Sequence, residues 1–259
     1  MTTVLSVKNL SIDYKISAGT VNAVKGISFD VAKGSSFVIV GRSGSGKSTL
    51  ACALMDLSGI DGGNISSGNI FYGGQDILQM TFEDKRSIRG KKISMIFQDP
   101  QSYLNPVIKV GKQIFEAYEV HNPKASKSEI SARAEEVLKQ VRLDDTERII
   151  NSYPHQLSGG QKQRILIAMA IINKPEILIA DEPTTGLDAA VQKQILDLIE
   201  ELKINLGLTV IMITHNMSIA KRYSDNIAVM HNGEIVETGN TEKIFRSPNH
   251  EYTKLLINS

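Results

Sequence analysis

The sequence predicts an α/β fold with a mixed β core and an inserted α-helical subdomain. Three observations carry this. Short apolar strand patterns fill the first third of the 259 residues, helical periodicity takes over from Val110, and strand–helix alternation returns near Glu176.

In order, residues 4–10 and 20–31 read as strands from their alternating apolar positions. Residues 36–40 form a third, and 48–57 read as a helix behind a glycine-rich loop. Further strands are expected at 70–72 and 93–97. Residues 99–106 are turn-rich, with Pro100 and Pro106. Residues 127–142 alternate charge with Ile130, Ala134, Val137, Leu138 and Val141, an amphipathic helix with one buried stripe. Ser126 and Glu129 fit a capping box at its start. A helix opening at 157–161 should place Ile165, Ala168, Met169 and Ile172 on one face. Strand 176–180, helix 189–206, strand 209–213 and two short strands at 226–229 and 234–238 complete the chain. The expected layout is one domain over 1–259: a mostly parallel core, about 1–98 and 175–259, interrupted by a helical subdomain, about 99–174.

Lys and Arg number 29 against 28 Asp and Glu, a net charge of +1. That balance lacks the basic footprint of a nucleic-acid binder. The single cysteine, Cys52, lies in an apolar run and reads as a packed residue, with no internal disulfide or multi-cysteine metal cluster. The first residues show no secretory leader, and no apolar run reaches bilayer-spanning length. A soluble chain that meets a membrane only through a partner is the expectation.

Gly41-Arg42-Ser43-Gly44-Ser45-Gly46-Lys47-Ser48 fits the phosphate-loop pattern G-x-x-x-x-G-K-[ST], preceded by strand Phe37-Val38-Ile39-Val40 and followed by the apolar helix 48–57, whose Thr49 is a further candidate nucleotide contact. Glycines let backbone N–H groups turn toward an anion, and the helix adds its positive end. Lys47 is expected on the β- and γ-phosphates and the Ser48 hydroxyl on Mg²⁺. The apolar run Ile177-Leu178-Ile179-Ala180 ends at Asp181-Glu182, two carboxylates at a strand's C-terminal edge. Asp181 suits Mg²⁺, through water, and Glu182 suits polarising an attacking water. Phosphoryl transfer needs mainly positioning and charge neutralisation. His215, two residues beyond the strand 209–213, is a candidate γ-phosphate contact. His121, His155, His231 and His250 lack ligand spacing.

Leu157-Ser158-Gly159-Gly160-Gln161 precedes a helix and offers a hydroxyl, backbone N–H groups and a positive helix end. This second phosphate-binding device is separated from the first by the helical stretch, so each should face the nucleotide of another copy or homologue. With these motifs the chain resembles the ATP-binding subunits of ABC transporters, P-loop NTPases, along essentially its whole length. The resemblance implies ATP and Mg²⁺ as cofactors. It makes Tyr14 the adenine-stacking aromatic and Gln98 the residue sensing Mg²⁺ and the γ-phosphate, and it places Ser158, Gly159, Gly160 and Gln161 on the partner's nucleotide. Gly186-Leu187-Asp188 matches the loop crossing to the partner, where Asp188 would couple the two sites. Gly186 stands where many relatives carry alanine.

Met95-Ile96-Phe97-Gln98-Asp99-Pro100 with Leu104-Asn105-Pro106, Tyr153-Pro154-His155-Gln156, and His250-Glu251-Tyr252-Thr253 are similar to importer subunits for peptides, nickel and metal chelates. That resemblance implies a second ATP-binding subunit, identical or related, and two integral membrane permease subunits. It further implies an extracytoplasmic substrate-binding protein, no nucleic acid, and a place at the cytoplasmic face of the cell membrane. Peptide-type members often continue into a cysteine-bearing tail. The sequence as far as Ser259 carries no such cysteines, so no iron–sulfur site is expected and metal and chelate uptake stays open. A DNA- or ribosome-acting cassette would be expected to show twin cassettes, long coiled coils or cysteine hooks. A P-loop kinase or GTP switch would lack the 157–161 segment.

Overall fold

The computed structural model describes residues 2–17 and 19–258. The strands, in chain order, are β1 (Thr3–Ile16), β2 (Gly19–Ala32), β3 (Ser36–Val40), β4 (Gly63–Tyr72), β5 (Gln75–Asp76), β6 (Ile93–Ile96), β7 (Ile177–Asp181), β8 (Thr209–Thr214), β9 (Asn226–His231) and β10 (Glu234–Asn240). The helices are α1 (Lys47–Leu54), α2 (Phe82–Ile88), α3 (Pro100–Tyr103), α4 (Val110–Glu119), α5 (Lys127–Gln140) and α6 (Thr146–Asn151). They continue with α7 (Gly159–Ile171), α8 (Ala189–Leu206), α9 (Met217–Tyr223), α10 (Thr241–Arg246) and α11 (Glu251–Ile257). The chain folds as two compact units, Met1–Lys85 with Thr209–Ser259, and Arg86–Leu208.

In the first unit, β1 pairs antiparallel with both β2 and β4, giving the order β2-β1-β4-β5. The first third of the chain therefore builds an antiparallel sheet where a mostly parallel core was expected. Strand alternation alone does not reveal the direction of the partner. Along β1 the fully buried residues are Leu5 and Val7, then Leu10 and Ile12, so the inward phase switches from odd to even positions. A register shift between Val7 and Leu10, with Asn9 at φ 48°, makes the switch. One inserted residue is what keeps a 14-residue strand facing the same core.

The other strands of this unit run β10-β9-β3-β8. β3 lies between β9 and β8, parallel to both, and all five of its residues are buried. Such a strand reads as an unbroken apolar run. Helix α1 ends at Leu54, short of the expected residue 57. Asp56 turns left-handed at φ 52°, the Leu57 N–H donates to the Cys52 carbonyl and the Asp56 N–H to the Ala53 carbonyl. This is a Schellman closure using aspartate where glycine is commoner.

In the second unit, β6 and β7 pair in parallel, and every described helix or strand between them is helical. α7 is buried nearly all round, through Ile165, Leu166, Ile167, Ala168, Ala170 and Ile171. The single apolar face expected of it is thus too narrow a reading, since a helix clad on all sides belongs at the centre. Its C-terminal carbonyls at Ile171 and Ile172 accept hydrogen bonds from the buried Arg133 guanidinium of α5, which also pairs with Glu136. At the start of α5, Ser126 accepts from the Glu129 N–H, but the Glu129 carboxylate accepts from the Tyr118 hydroxyl. Only half of the expected capping box is used. α8 is capped by Asp188 and stops at left-handed Gly207, φ 66°.

Candidate active site

In the first unit, β3 ends at Val40 and the chain enters the glycine loop. A Cβ on Gly41 would lie 2.2 Å from the Met230 carbonyl oxygen, and one on Gly46 would lie 2.3 Å from that of Ala23. Gly46 is also left-handed, with φ 97°. Side chains are excluded here because the loop rests directly on the backbone of β2 and β9. The Gly233 N–H donates to the Ser45 carbonyl at 3.1 Å, and the Arg42 N–H donates to the Tyr252 hydroxyl at 3.3 Å.

Lys47 opens α1 and is only 5% exposed. Its ammonium donates to the Arg42 carbonyl at 3.0 Å, curling back over the loop. A phosphate would be a stronger partner for the ammonium than a neutral carbonyl. Helix α1 has no side-chain cap, so its first N–H groups suit an anion. Ser45 Oγ is buried without a hydrogen-bond partner among the described residues, a second polar atom suited to an incoming ligand. Ser48 is exposed at the start of α1, and Ser43 and Gly44 are exposed on the loop. Tyr14, on β1, reaches this helix through its hydroxyl, 3.4 Å from Thr49 Oγ1. Val40 and Thr214 are register partners in β3 and β8, so Gly41 and the exposed His215 leave adjacent strands at the same level.

In the second unit, Asp181 ends β7 and is 4% exposed. Glu182 then turns the chain at φ 43°, a left-handed backbone that costs a glutamate about 1–3 kcal/mol. Strain of that size persists only where surrounding contacts hold it. Here Glu182 Oε2 accepts from the Thr185 hydroxyl at 3.0 Å and from the Gln98 amide at 3.4 Å. Gln98 follows β6, and β6 and β7 are in parallel register up to Ile96 and Ala180. The two strands therefore deliver Gln98 and Asp181-Glu182 to one sheet edge.

The 157–161 segment also lies in this unit. Ser158 Oγ accepts from the Gln161 N–H, and Gln161 Oε1 accepts from the Ser158 N–H, a reciprocal capping box at α7. Gln161 is thus committed to the cap. Gly159 and Gly160 open the helix with ordinary backbone angles, and their reason is packing. A Cβ on Gly159 would sit 3.1 Å from Leu187, and one on Gly160 2.9 Å from Val191. Asp188 accepts from the Ala190 and Val191 N–H groups at 3.1 and 3.0 Å, capping α8. The structure assigns its carboxylate that local role in addition to the coupling expected from resemblance.

Three contributors escaped the sequence reading. Tyr252 and Gly233 hold the glycine loop from behind, and Thr185 holds Glu182. Only Tyr252 carried a sequence signal, through its segment's resemblance to importer subunits. Among the described residues no group of three His, Cys, Asp or Glu side chains could hold a metal. No helix among them is long and apolar enough to cross a membrane.

The chain is 43% identical over its whole length to the oligopeptide transport ATP-binding protein OppD of Bacillus subtilis, covering 72% of that relative. Among solved structures it is similar to the dimeric ATP-binding cassette MJ0796 in a post-hydrolysis state bound to ADP and Pi. That match has a TM-score of 0.79 and 29% identity, over 92% of this chain and 98% of the other. It is also similar to cbiO1 from Clostridium perfringens, part of the ABC transporter complex cbiONQ. There the TM-score is 0.80 and the identity 32%, over 95% and 92% of the two chains. Residues 24–185 match the family model described as ABC transporter, and with a relative this similar over the whole of this chain, the chain belongs to that family.

Proposed function

We propose that this chain is the ATP-hydrolysing, energy-coupling subunit of a peptide importer. The observation that carries the ATPase reading is the glycine loop itself. A buried Lys47 ammonium over the loop, an orphaned Ser45 hydroxyl and a helix start without a side-chain cap together suit an anion. In this reading residues 41–49 hold the phosphates of ATP, Tyr14 stacks on adenine, and His215 contacts the γ-phosphate. Glu182, steadied by Thr185 and Gln98, orients the attacking water. Ser48, Asp181 and Gln98 are hard oxygen donors of the kind Mg²⁺ prefers. Mg²⁺ would neutralise charge developing on the phosphates. Ser158–Gln161 faces the nucleotide of a second ATP-binding subunit, so two subunits enclose two ATP molecules. Two membrane permease subunits would receive the motion and hold the chain at the cytoplasmic face, with a substrate-binding protein outside.

Peptides are favoured over nickel or metal chelates by the similarity, over the whole of this chain, to an oligopeptide transport subunit. The test is transport by the assembled complex in vesicles. Uptake of short peptides should require ATP and fail with Lys47→Ala. Uptake of Ni²⁺ or a metal chelate with no peptide uptake would overturn the substrate class, and a complex without Mg²⁺-dependent ATP hydrolysis would overturn the whole reading.

A further inference from the structure

The 250–253 segment was tied to a group of importers by resemblance, yet nothing in the proposed reaction uses it. In the fold it stands behind the phosphate loop. The Tyr252 hydroxyl accepts the Arg42 N–H at 3.3 Å, and the Tyr252 ring stacks on His231 with centroids 3.8 Å apart and planes 28° from parallel. His231 ends β9, and the same β9–β10 turn grips the loop again two residues later, where the Gly233 N–H donates to the Ser45 carbonyl. Helix α11 is itself fixed. His250 caps it by accepting the Tyr252 N–H at 3.1 Å, and the Glu237 carboxylate of β10 accepts the Asn249 and His250 N–H groups at 2.8 and 3.1 Å.

We propose that Tyr252 is a positioning residue for nucleotide binding: its hydroxyl, oriented by the stack on His231, holds the first turn of the phosphate loop in the binding conformation before ATP arrives. The physical reason is entropic. A loop containing Gly41, Gly44 and Gly46 has wide backbone freedom, and ordering it on binding would cost affinity. A loop already fixed at Arg42 and Ser45 avoids most of that cost. Tyr252 touches backbone, so its effect falls on any nucleotide carrying the β-phosphate and on binding more than on the chemical step. The inference rests on the reading of residues 41–49 as the ATP site.

The test uses the full chain and Mg-ADP, which binds without turnover. Tyr252→Phe keeps the ring and stack but removes the acceptor. It should weaken Mg-ADP binding about threefold to tenfold, the worth of one hydrogen bond. The KM for ATP should rise in parallel while kcat at saturation stays within about twofold. His231→Ala should copy this loss, and His231→Phe, which restores a stacking ring, should rescue it. Amide hydrogen exchange at Arg42 should accelerate in Tyr252→Phe. A Tyr252→Phe protein with unchanged Mg-ADP affinity overturns the proposal, even if its Tm falls, because a purely structural role would move only Tm. Lys47→Ala separates the two levels. If it loses affinity and Tyr252→Phe does not, the positioning role is wrong; if neither loses affinity, nucleotide binds elsewhere and the ATP-site reading fails.

Discussion

Replacing Gly46 with alanine measures how closely the phosphate loop rests on β2. The new Cβ would lie 2.3 Å from the Ala23 carbonyl oxygen, so roughly 1 Å of separation must open before ordinary van der Waals contact is reached. Neither side yields easily. Ala23 lies within β2, flanked by Asn22 and Val24, which pair with Asp13 and Ile12 of β1, and Gly46 is the residue from which α1 starts. A left-handed alanine adds about 1–2 kcal/mol, and forced repacking about 1–3 kcal/mol, for a total near 2–5 kcal/mol. Gly44→Ala is the matched control. Its φ of 78° is also left-handed, but nothing lies within 4 Å of the added Cβ, so only the backbone cost of about 1–2 kcal/mol applies. Urea unfolding of both variants, at equal m, gives the difference directly. A 1 Å displacement of the loop should also lower ATP turnover by up to about 10²-fold in Gly46→Ala. If Gly46→Ala is no less stable than Gly44→Ala, the close approach to β2 is refuted.

Other substitutions separate chemistry from scaffolding. Glu182→Gln keeps an acceptor oxygen for Thr185 while losing the charge, so ATP should still bind while hydrolysis drops about 10²- to 10⁴-fold; near-normal turnover would remove Glu182 from the role. Asp188→Ala should cost about 1 kcal/mol through the lost α8 cap, whereas Asp188→Asn should keep the cap. A loss of ATPase activity in Asp188→Asn at unchanged stability would then report coupling between sites. For Glu237, burial raises the carboxyl pKa, but the N–H groups of Asn249 and His250 and the Thr253 and Asn249 side chains outweigh it and leave it lowered. Its contribution to stability is therefore present above the ordinary carboxylate range and lost as pH falls through the depressed folded value. Acid titration of stability should show that component in the native chain and lack it in Glu237→Gln.

The parts of this site that depend on local chemistry were legible in the sequence. β3 and α8 fall at the residues their apolar patterns mark, because a doubly buried strand and an 18-residue helix with Asp188 before it and Gly207 after it are self-announcing. The glycine loop, the acidic pair and the 157–161 segment belong to the same class. What stayed hidden depends on distant partners. The odd-to-even switch in β1 arises at a bulge that no period reveals. Helices α9, α10 and α11 span seven, six and seven residues, too few for periodicity, and start at Asn216, Asn240 and His250 caps. The left-handed Glu182 has no sequence mark at all, since glutamate is a poor candidate for that backbone. Tyr252 could be flagged by resemblance, but its purpose required seeing Arg42 beside it.

The contact of Gly159 and Gly160 with Leu187 and Val191 has a consequence for how this protein can change over time. The turn that opens α7 and the loop that opens α8 share one interface, so neither can be redesigned alone. A larger residue at 160 requires a smaller one at 191, and any drift in the start of α8 carries the Ser158 turn with it. A chimera that joins these two places from different parents should lose the fit that either parent had.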